Sequence, residues 1–330
     1  MRTSVFRALT TAALLVVSCL SNGAPRPSPD LAAQARGPAV SSFSIAVLRR
    51  DGIVIPIVSY GVGGWVNHWP APGRKVDIPI SVSDVPTSWW ADKRPIAEWT
   101  AWPMGGGFRV VHVRNATNLA VECQSQVGLE TDYRSTLPPE RSAIQPFPKD
   151  GLATSGDIRI DPVPVLDANS PEWAAVSAAI AAKVTAAEPG LIKDLQLKTP
   201  IPEKLRVSTP FTLEVMFGSP DVKPGGTVVY FEGVKRYPPQ LTLPSGLMTY
   251  AVGFARYGPK GPPDVELSAT LADTRREGLV YSLVLGSFHM GRRLFWVVQR
   301  SAWGYEQFHL VEIRGDEILT IFKTPGGVCQ

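Results

Sequence analysis

Residues 279–323, LVYSLVLGSFHMGRRLFWVVQRSAWGYEQFHLVEIRGDEILTIFK, decide the fold. Apolar and β-branched runs recur there at 279–285, 294–299, 305–313 and 317–323, separated by glycine or charged residues. Short runs of this composition bounded by turn formers read as strands, and their succession predicts an antiparallel meander. Arg314-Gly315-Asp316 fits a tight turn between the last two. Leu279-Val-Tyr-Ser-Leu-Val-Leu285 is apolar at both odd and even positions, so both faces of that strand need cover. Cover on both faces is what a strand inside stacked sheets receives.

Working outward, four more runs of the same kind stand at 211–217, 227–236, 247–256 and 264–273. One segment breaks the pattern. Ser170 or Asn169 can cap a helix, Pro171 suits its first turn, and Glu188-Pro189-Gly190 reads as its end. Trp173, Val176, Ile180, Val184 and Ala187 share one face at helical spacing, while much of the remainder is alanine. The spacing predicts a helix over 171–187 that packs on a sheet. Toward the N-terminus, Phe43–Arg49 and Ile53–Tyr60 flank an Asp51-Gly52 turn and read as a hairpin, with Pro56 placing its strand at an edge or a bulge. The glycine turn 61–64 leads to Trp65, and Phe108–Arg114 with Leu119–Cys123 reads as a second hairpin through Asn115–Asn118.

Residues 134–168 are dense in proline and polar side chains and read as an irregular connection; 189–204 reads as a crossing between two halves. The expected fold is mainly β, built from antiparallel sheets in a sandwich-like or propeller-like arrangement, with the one packing helix. The chain shows no fixed-period repeat of the kind propellers carry. The expected organisation is a signal peptide over 1–18, a proline-rich disordered tether over 19–40 and a tryptophan-rich β region over 41–188. The crossing and an all-β region over 205–330, packed on the first, complete it.

Arg2 and Arg7 are the only charged residues before Cys19, and Ala8 to Val17 is almost wholly apolar. A basic start followed by a short apolar run is the pattern of an export signal, too short for the roughly 20 apolar residues of a membrane span. Val16-Val17-Ser18-Cys19 resembles the bacterial lipobox. The resemblance implies a diacylglycerol on Cys19, which becomes the new N-terminus; simple cleavage after Ser21 or Gly23 stays open. The 25–39 segment, with prolines at 25, 27 and 29, suits a spacer that holds a folded domain off a membrane. The expected location is the periplasm or cell surface, with membrane contact through the lipid anchor only, or secretion where Cys19 carries no lipid.

Of the three cysteines, lipidation of Cys19 leaves Cys123 and Cys329, and an even pair in an oxidising compartment predicts a disulfide. The formal net charge of +4 falls to +2 without Arg2 and Arg7, and no basic run of five appears, so nucleic acid is not an expected partner.

Signatures of local catalytic spacing are missing: no His-Glu-x-x-His, Gly-x-Ser-x-Gly, Ser-x-x-Lys or phosphate-binding loop occurs. The four histidines His68, His112, His289 and His309 have no ligand spacing, and neither a metal, a cofactor nor a catalytic residue is assigned. Strand alternation puts Glu306 and Glu312 on the face opposite His309. Gly105–Gly107 reads as a turn. Tryptophan is the exception, because Trp65, Trp69, Trp89, Trp90, Trp99 and Trp102, six of nine, fall within 38 residues. Flat indoles stack on sugar rings and anchor interfaces, and they also fill cores and pin proline-rich loops. The sequence therefore supports a non-enzymatic binding module that engages a glycan or an envelope protein through residues 65–102. A hydrolase with a site assembled from distant residues and a structural component of an envelope assembly stand as alternatives.

Overall fold

The structure is a computed structural model, which describes residues 42–73, 81–91, 93–136, 149–194, 201–239, 246–259, 261–272, 279–314 and 317–329. Residues 1–39, on which the expected export signal, Cys19 and most of the expected tether fall, lie outside them; Val40–Gln330 is one compact unit.

The first half of that unit is a closed barrel. Its strands are β1 (Phe43–Arg49), β2 (Ile53–Gly61), the short β3 (Gly64–Val66), β4 (Glu98–Pro103), β5 (Arg109–Val121), β6 (Gln124–Thr131) and β7 (Lys149–Ser155). They pair in the order β1-β7-β4-β5-β6-β2-β3, and the β1–β2 hairpin closes the ring into six strands with β3 outside it. Register shifts at Ile45/Ala46, Leu48/Arg49 and Val113/Asn115 supply local bends that a barrel wall requires. Pro56 lies beside the first of these, where a missing backbone donor costs the ladder least. Small residues, Ala46, Ala101, Ala116 and Ala153, face the interior with Leu48, Val54, Val111, Val127 and Leu129.

Three sequence expectations need correction here. The second hairpin is one strand: Asn115 and Asn118 pair with Glu130 and Val127, and the turn falls at Glu122-Cys123, with Glu122 at φ 51°. Polar side chains on the wall of a long strand imitate turn composition. The irregular 134–168 segment contains β7, a central barrel strand. Gly151 disguises it; at φ 146° a Cβ there would meet the Trp102 carbonyl oxygen at 2.2 Å, so the β4–β7 contact needs glycine. Finally, the helix α1 (Pro171–Asp194) runs past Pro189 rather than ending there, and a short α2 (Glu203–Ser208) starts at the end of the expected crossing and continues into the region expected to be all-β. Pro189 falls in the last two turns, where losing one backbone donor leaves most of the helix ladder intact.

The second half matches the sequence reading strand for strand. β8 (Thr212–Pro220), β9 (Thr227–Arg236), β10 (Met248–Tyr257) and β11 (Asp264–Ala272) form one antiparallel meander. β12 (Tyr281–Met290), β13 (Arg293–Ala302), β14 (Tyr305–Arg314) and β15 (Glu317–Val328) form another. The two sheets stack through Phe217, Val228, Tyr230, Leu294, Trp296 and Val311, which makes this half a sandwich. The opposite face of β12–β15 buries Phe288, Phe295, Val297 and Leu310 against Ile45, Val47, Ile55 and Ile57 of the barrel. α1 covers the outer face of β8–β11 with Val176, Ile180 and Val184. The order of layers is therefore barrel, sheet, sheet, helix.

Ser170 caps α1 as expected, its hydroxyl accepting from the Trp173 N–H at 3.1 Å. One turn beyond Val184, the buried Glu188 continues the same stripe and takes Lys235 Nζ at 2.8 Å and Thr249 Oγ1 at 3.1 Å, with the Tyr237 hydroxyl also donating to it. Between barrel and sheet, Lys149 Nζ reaches Glu306 Oε2 at 2.8 Å. No helix among the described residues is long and apolar enough to cross a membrane.

Cys123 and Cys329 form a disulfide that ties the β5–β6 turn to the end of β15 across 206 residues. Loop-entropy reasoning puts closure of that length at about 5 kcal/mol before strain. The Cys123→Ser/Cys329→Ser chain, compared with the oxidised parent by urea denaturation, is expected to lose stability by a few kcal/mol; equal midpoints would remove the disulfide from the account.

Candidate functional site

The chain leaves β4 at Pro103 and turns back at Met104–Gly107 into Phe108 and β5. The Met104 N–H donates to the Asp150 carbonyl at 2.7 Å and the Gly106 N–H to the Pro103 carbonyl at 2.9 Å, which fixes the turn on β7. Gly106 and Gly107 sit at φ 91° and 80°, the left-handed region where a side chain is strained. With no side chains there, the turn leaves the Trp102 and Phe108 rings open beside it.

Trp102 is half-buried, and its indole N–H donates to Thr154 Oγ1 at 2.8 Å, so its orientation is set by the barrel wall. Phe108 is 69 % exposed and stands 5.2 Å from Trp102, ring centre to ring centre, at 35°. Opposite them lies the segment that carries the chain from the barrel to the sandwich. Asp161 exchanges backbone hydrogen bonds with Ser287 on β12 at 2.7 and 2.9 Å, and further on the Leu166 N–H donates to the Met216 carbonyl of β8 at 2.7 Å. The segment thus seals one edge of each sheet and presents Arg159, Ile160 and Pro162. Together with Leu285, these walls enclose a cleft of about 350 Å³. Ile160 and Leu285 give it an apolar floor. At its rim Arg159 Nε donates to Asp161 Oδ1 at 3.0 Å. That exposed pair offers donor and acceptor groups side by side, the complement of neighbouring hydroxyls on a polar ligand.

The six tryptophans do not form a common surface. Trp69, Trp90 and Trp99 are 7, 1 and 2 % exposed and help to fill the barrel interior, where rings so covered can stack on nothing outside. Trp69 meets Trp90 edge-on at 4.9 Å, and the half-buried Trp89 lies 5.4 Å from Trp69. Among the described residues the indole N–H groups of Trp90 and Trp99 have no partner, and a buried donor left so costs about 1–3 kcal/mol. Trp65, also half-buried, sits among Tyr60, Phe43, Phe288 and Phe295 at 4.8–6.1 Å and cements the barrel to the β12–β15 sheet. Trp102 alone of the six borders the cleft.

The other groups singled out from sequence lie elsewhere. His112 stands exposed on the outer barrel wall between Glu98, its cross-strand neighbour, at 3.4 Å and Asp132 at 3.1 Å. Hydrogen bonds from the His112 backbone N–H, and then from its ring, hold the Asp132 carboxyl below the usual range. An arrangement so exposed contributes little beyond local order. His309 is buried, and Glu306 and Glu312 do lie across the sheet from it, toward the barrel: Glu306 meets Lys149, and Glu312 meets Arg293 at 2.6 Å and Arg314 at 2.7 Å. Among the described residues no three His, Cys, Asp or Glu side chains converge as metal ligands.

Phe108 and Arg159 were not selected by sequence reasoning. The one available signal was an aromatic residue directly after three glycines, Gly105 to Gly107. Comparison with family models, curated proteins and solved structures finds no significant match for this chain.

Proposed function

We propose that this chain is an exported protein of the cell envelope, tethered by lipid on Cys19, and works as a non-enzymatic module that binds a sugar-bearing envelope component in the cleft beside Trp102. The observation that carries the binding reading is the pair of rings at 5.2 Å, one of them 69 % exposed, at a cleft with an apolar floor and a polar rim. A large apolar ring held open to water costs free energy in the unbound protein, and covering it with the C–H face of a sugar recovers that cost. The cleft volume falls within the roughly 300–1,000 Å³ of ligand sites. Hydroxyl groups of such a ligand can pair with the Arg159–Asp161 rim. The tether reading rests on the Val16–Cys19 motif, the proline-rich stretch that follows, and a disulfide that suits an oxidising compartment.

Two experiments separate the parts. Mass spectrometry of the mature protein is expected to show an acylated N-terminal Cys19; an unmodified N-terminus at or beyond Asn22 ends the lipid claim and leaves the cleft untouched. For the cleft, the folded chain is titrated by NMR with soluble peptidoglycan fragments and a panel of oligosaccharides. The Trp102 indole signal is expected to shift saturably. Trp102→Ala and Phe108→Ala should each weaken binding by about 10-fold or more, the scale of an interface anchor, while Trp89→Ala leaves it unchanged. A panel that moves none of the cleft signals would contradict the binding reading.

A further inference from the structure

A second surface, on the far face of the β12–β15 sheet from the barrel, has the character of a ligand site. On β13, Leu294, Trp296 and Val298 face the β8–β11 sheet, so by alternation Arg300 does too. On β14, Val311 and Ile313 face the same way, and with them His309, Gln307 and Tyr305. Lys323 of β15 stands directly opposite His309 in the register, as Arg300 stands opposite Gln307. The apolar inter-sheet core ends at Val298 and Val311, and beyond it this face turns polar.

The hydrogen bonding there is one-sided. Gln307 Oε1 accepts the Tyr305 hydroxyl at 2.8 Å and faces His309 Nε2, which donates to it, at 2.6 Å. Both lone pairs of that carbonyl oxygen are used, so the amide NH₂ is left as a pure donor. Beside it are the half-buried Arg300 and the exposed Lys323. Among the described residues neither cation forms an ion pair, and no acceptor takes the Gln307 amide. From the facing sheet Tyr230 and Glu232 of β9 turn toward this layer; the Glu232 carboxylate accepts the Tyr230 hydroxyl and the Ser282 N–H, both at 2.6 Å. Tyr250 of β10 donates to the Val280 carbonyl at 3.3 Å. The hairpin that carries Tyr305 is held by the Cys329 N–H bond to the Gly304 carbonyl at 2.7 Å, next to the disulfide.

We propose that this donor-rich corner of β13–β15 binds a small anion, a phosphate or carboxylate group, seated between Arg300 and Lys323 over the Gln307 amide. Arg300 on β13 and Lys323 on β15 flank Gln307 of the intervening β14 with no ion-pair partner of their own among the described residues, and an oxyanion seated between them accepts from all three donors. His309 reports on the site from within. Burial first, and then the charges of Arg300 and Lys323, push its ring down to about 4. An anion beside it favours the protonated ring and reverses part of that displacement.

The test uses the folded mature chain, with NMR detection of the four histidine rings. Inorganic phosphate is expected to move the His309 signals saturably and to raise its titration midpoint by about 1–3 pH units, the effect of one opposite charge at close range. Arg300→Gln and Lys323→Gln should each weaken the response at least about 10-fold, one charge-assisted hydrogen bond lost, and leave the His112 and His68 signals as in the parent. Vesicles of phosphatidylglycerol are tested in parallel with phosphatidylcholine vesicles. A response to free phosphate supports a soluble anion as ligand, and a response confined to the anionic vesicles supports a lipid headgroup. No saturable change with either, or a full response in both variants, overturns the proposal.

Discussion

The β12–β15 sheet is covered on both faces along most of its length, and the rest of the structure is arranged around that constraint. Phe295 and Trp296 are neighbours in sequence, point to opposite sides and are both fully buried, one against the barrel and one against the second sheet. At roughly 1.5–3 kcal/mol per large apolar side chain, each face contributes more than the net stability of a typical domain before chain entropy is subtracted. Neither the barrel nor the β8–β11 sheet can leave without exposing such a face. Polar groups admitted to the layer are largely tied by specific bonds: Trp296 Nε1 donates to Ser219 Oγ at 3.1 Å across the sandwich. Burial alone would raise the Glu312 carboxyl, yet the Arg293 and Arg314 guanidiniums bring it down to about 2.

From this constraint follow the positions of both candidate sites. The segment that leaves the barrel after β7 runs along the edges of β12 and β8 before it reaches α1, because each sheet has an unpaired edge there and the segment supplies hydrogen bonds to both. That path places Arg159 and Ile160 across from Trp102 and opens the cleft where barrel and sheet meet. The second site lies where the sheet extends past its cover, beyond Val298 and Val311, so that side chains facing inward along the rest of the strand emerge partly into water. Both are products of layers that do not match in extent.

Much of the fold was legible in the sequence because it is written in local patterns. All eight strands of the second half, the helix with its Ser170 cap, and the first hairpin follow from alternation, helical spacing and turn residues. The Cys123–Cys329 pair followed from counting. The barrel was not legible, since closure depends on β1 finding β7 about a hundred residues later, and β7 itself reads as loop because Gly151 and its short neighbours carry no strand signal. The tryptophan cluster shows the limit for function. Composition drew attention to six residues and could not say that three would fill a barrel and one would seal an interface. The residues that make up the cleft with Trp102 come from a turn, a connector and a distant strand. Arg300, Gln307 and Lys323 likewise become neighbours only through register.

Native-state amide hydrogen exchange of the folded chain tests the two-faced central layer most directly. Amides of β13 and β14 should be the slowest in the molecule, and β1 of the barrel and β9 of the second sheet should open with the same free energy, because losing the shared layer unfolds both. Barrel amides that stay protected while β12–β15 exchanges as a separate, weaker unit would contradict it.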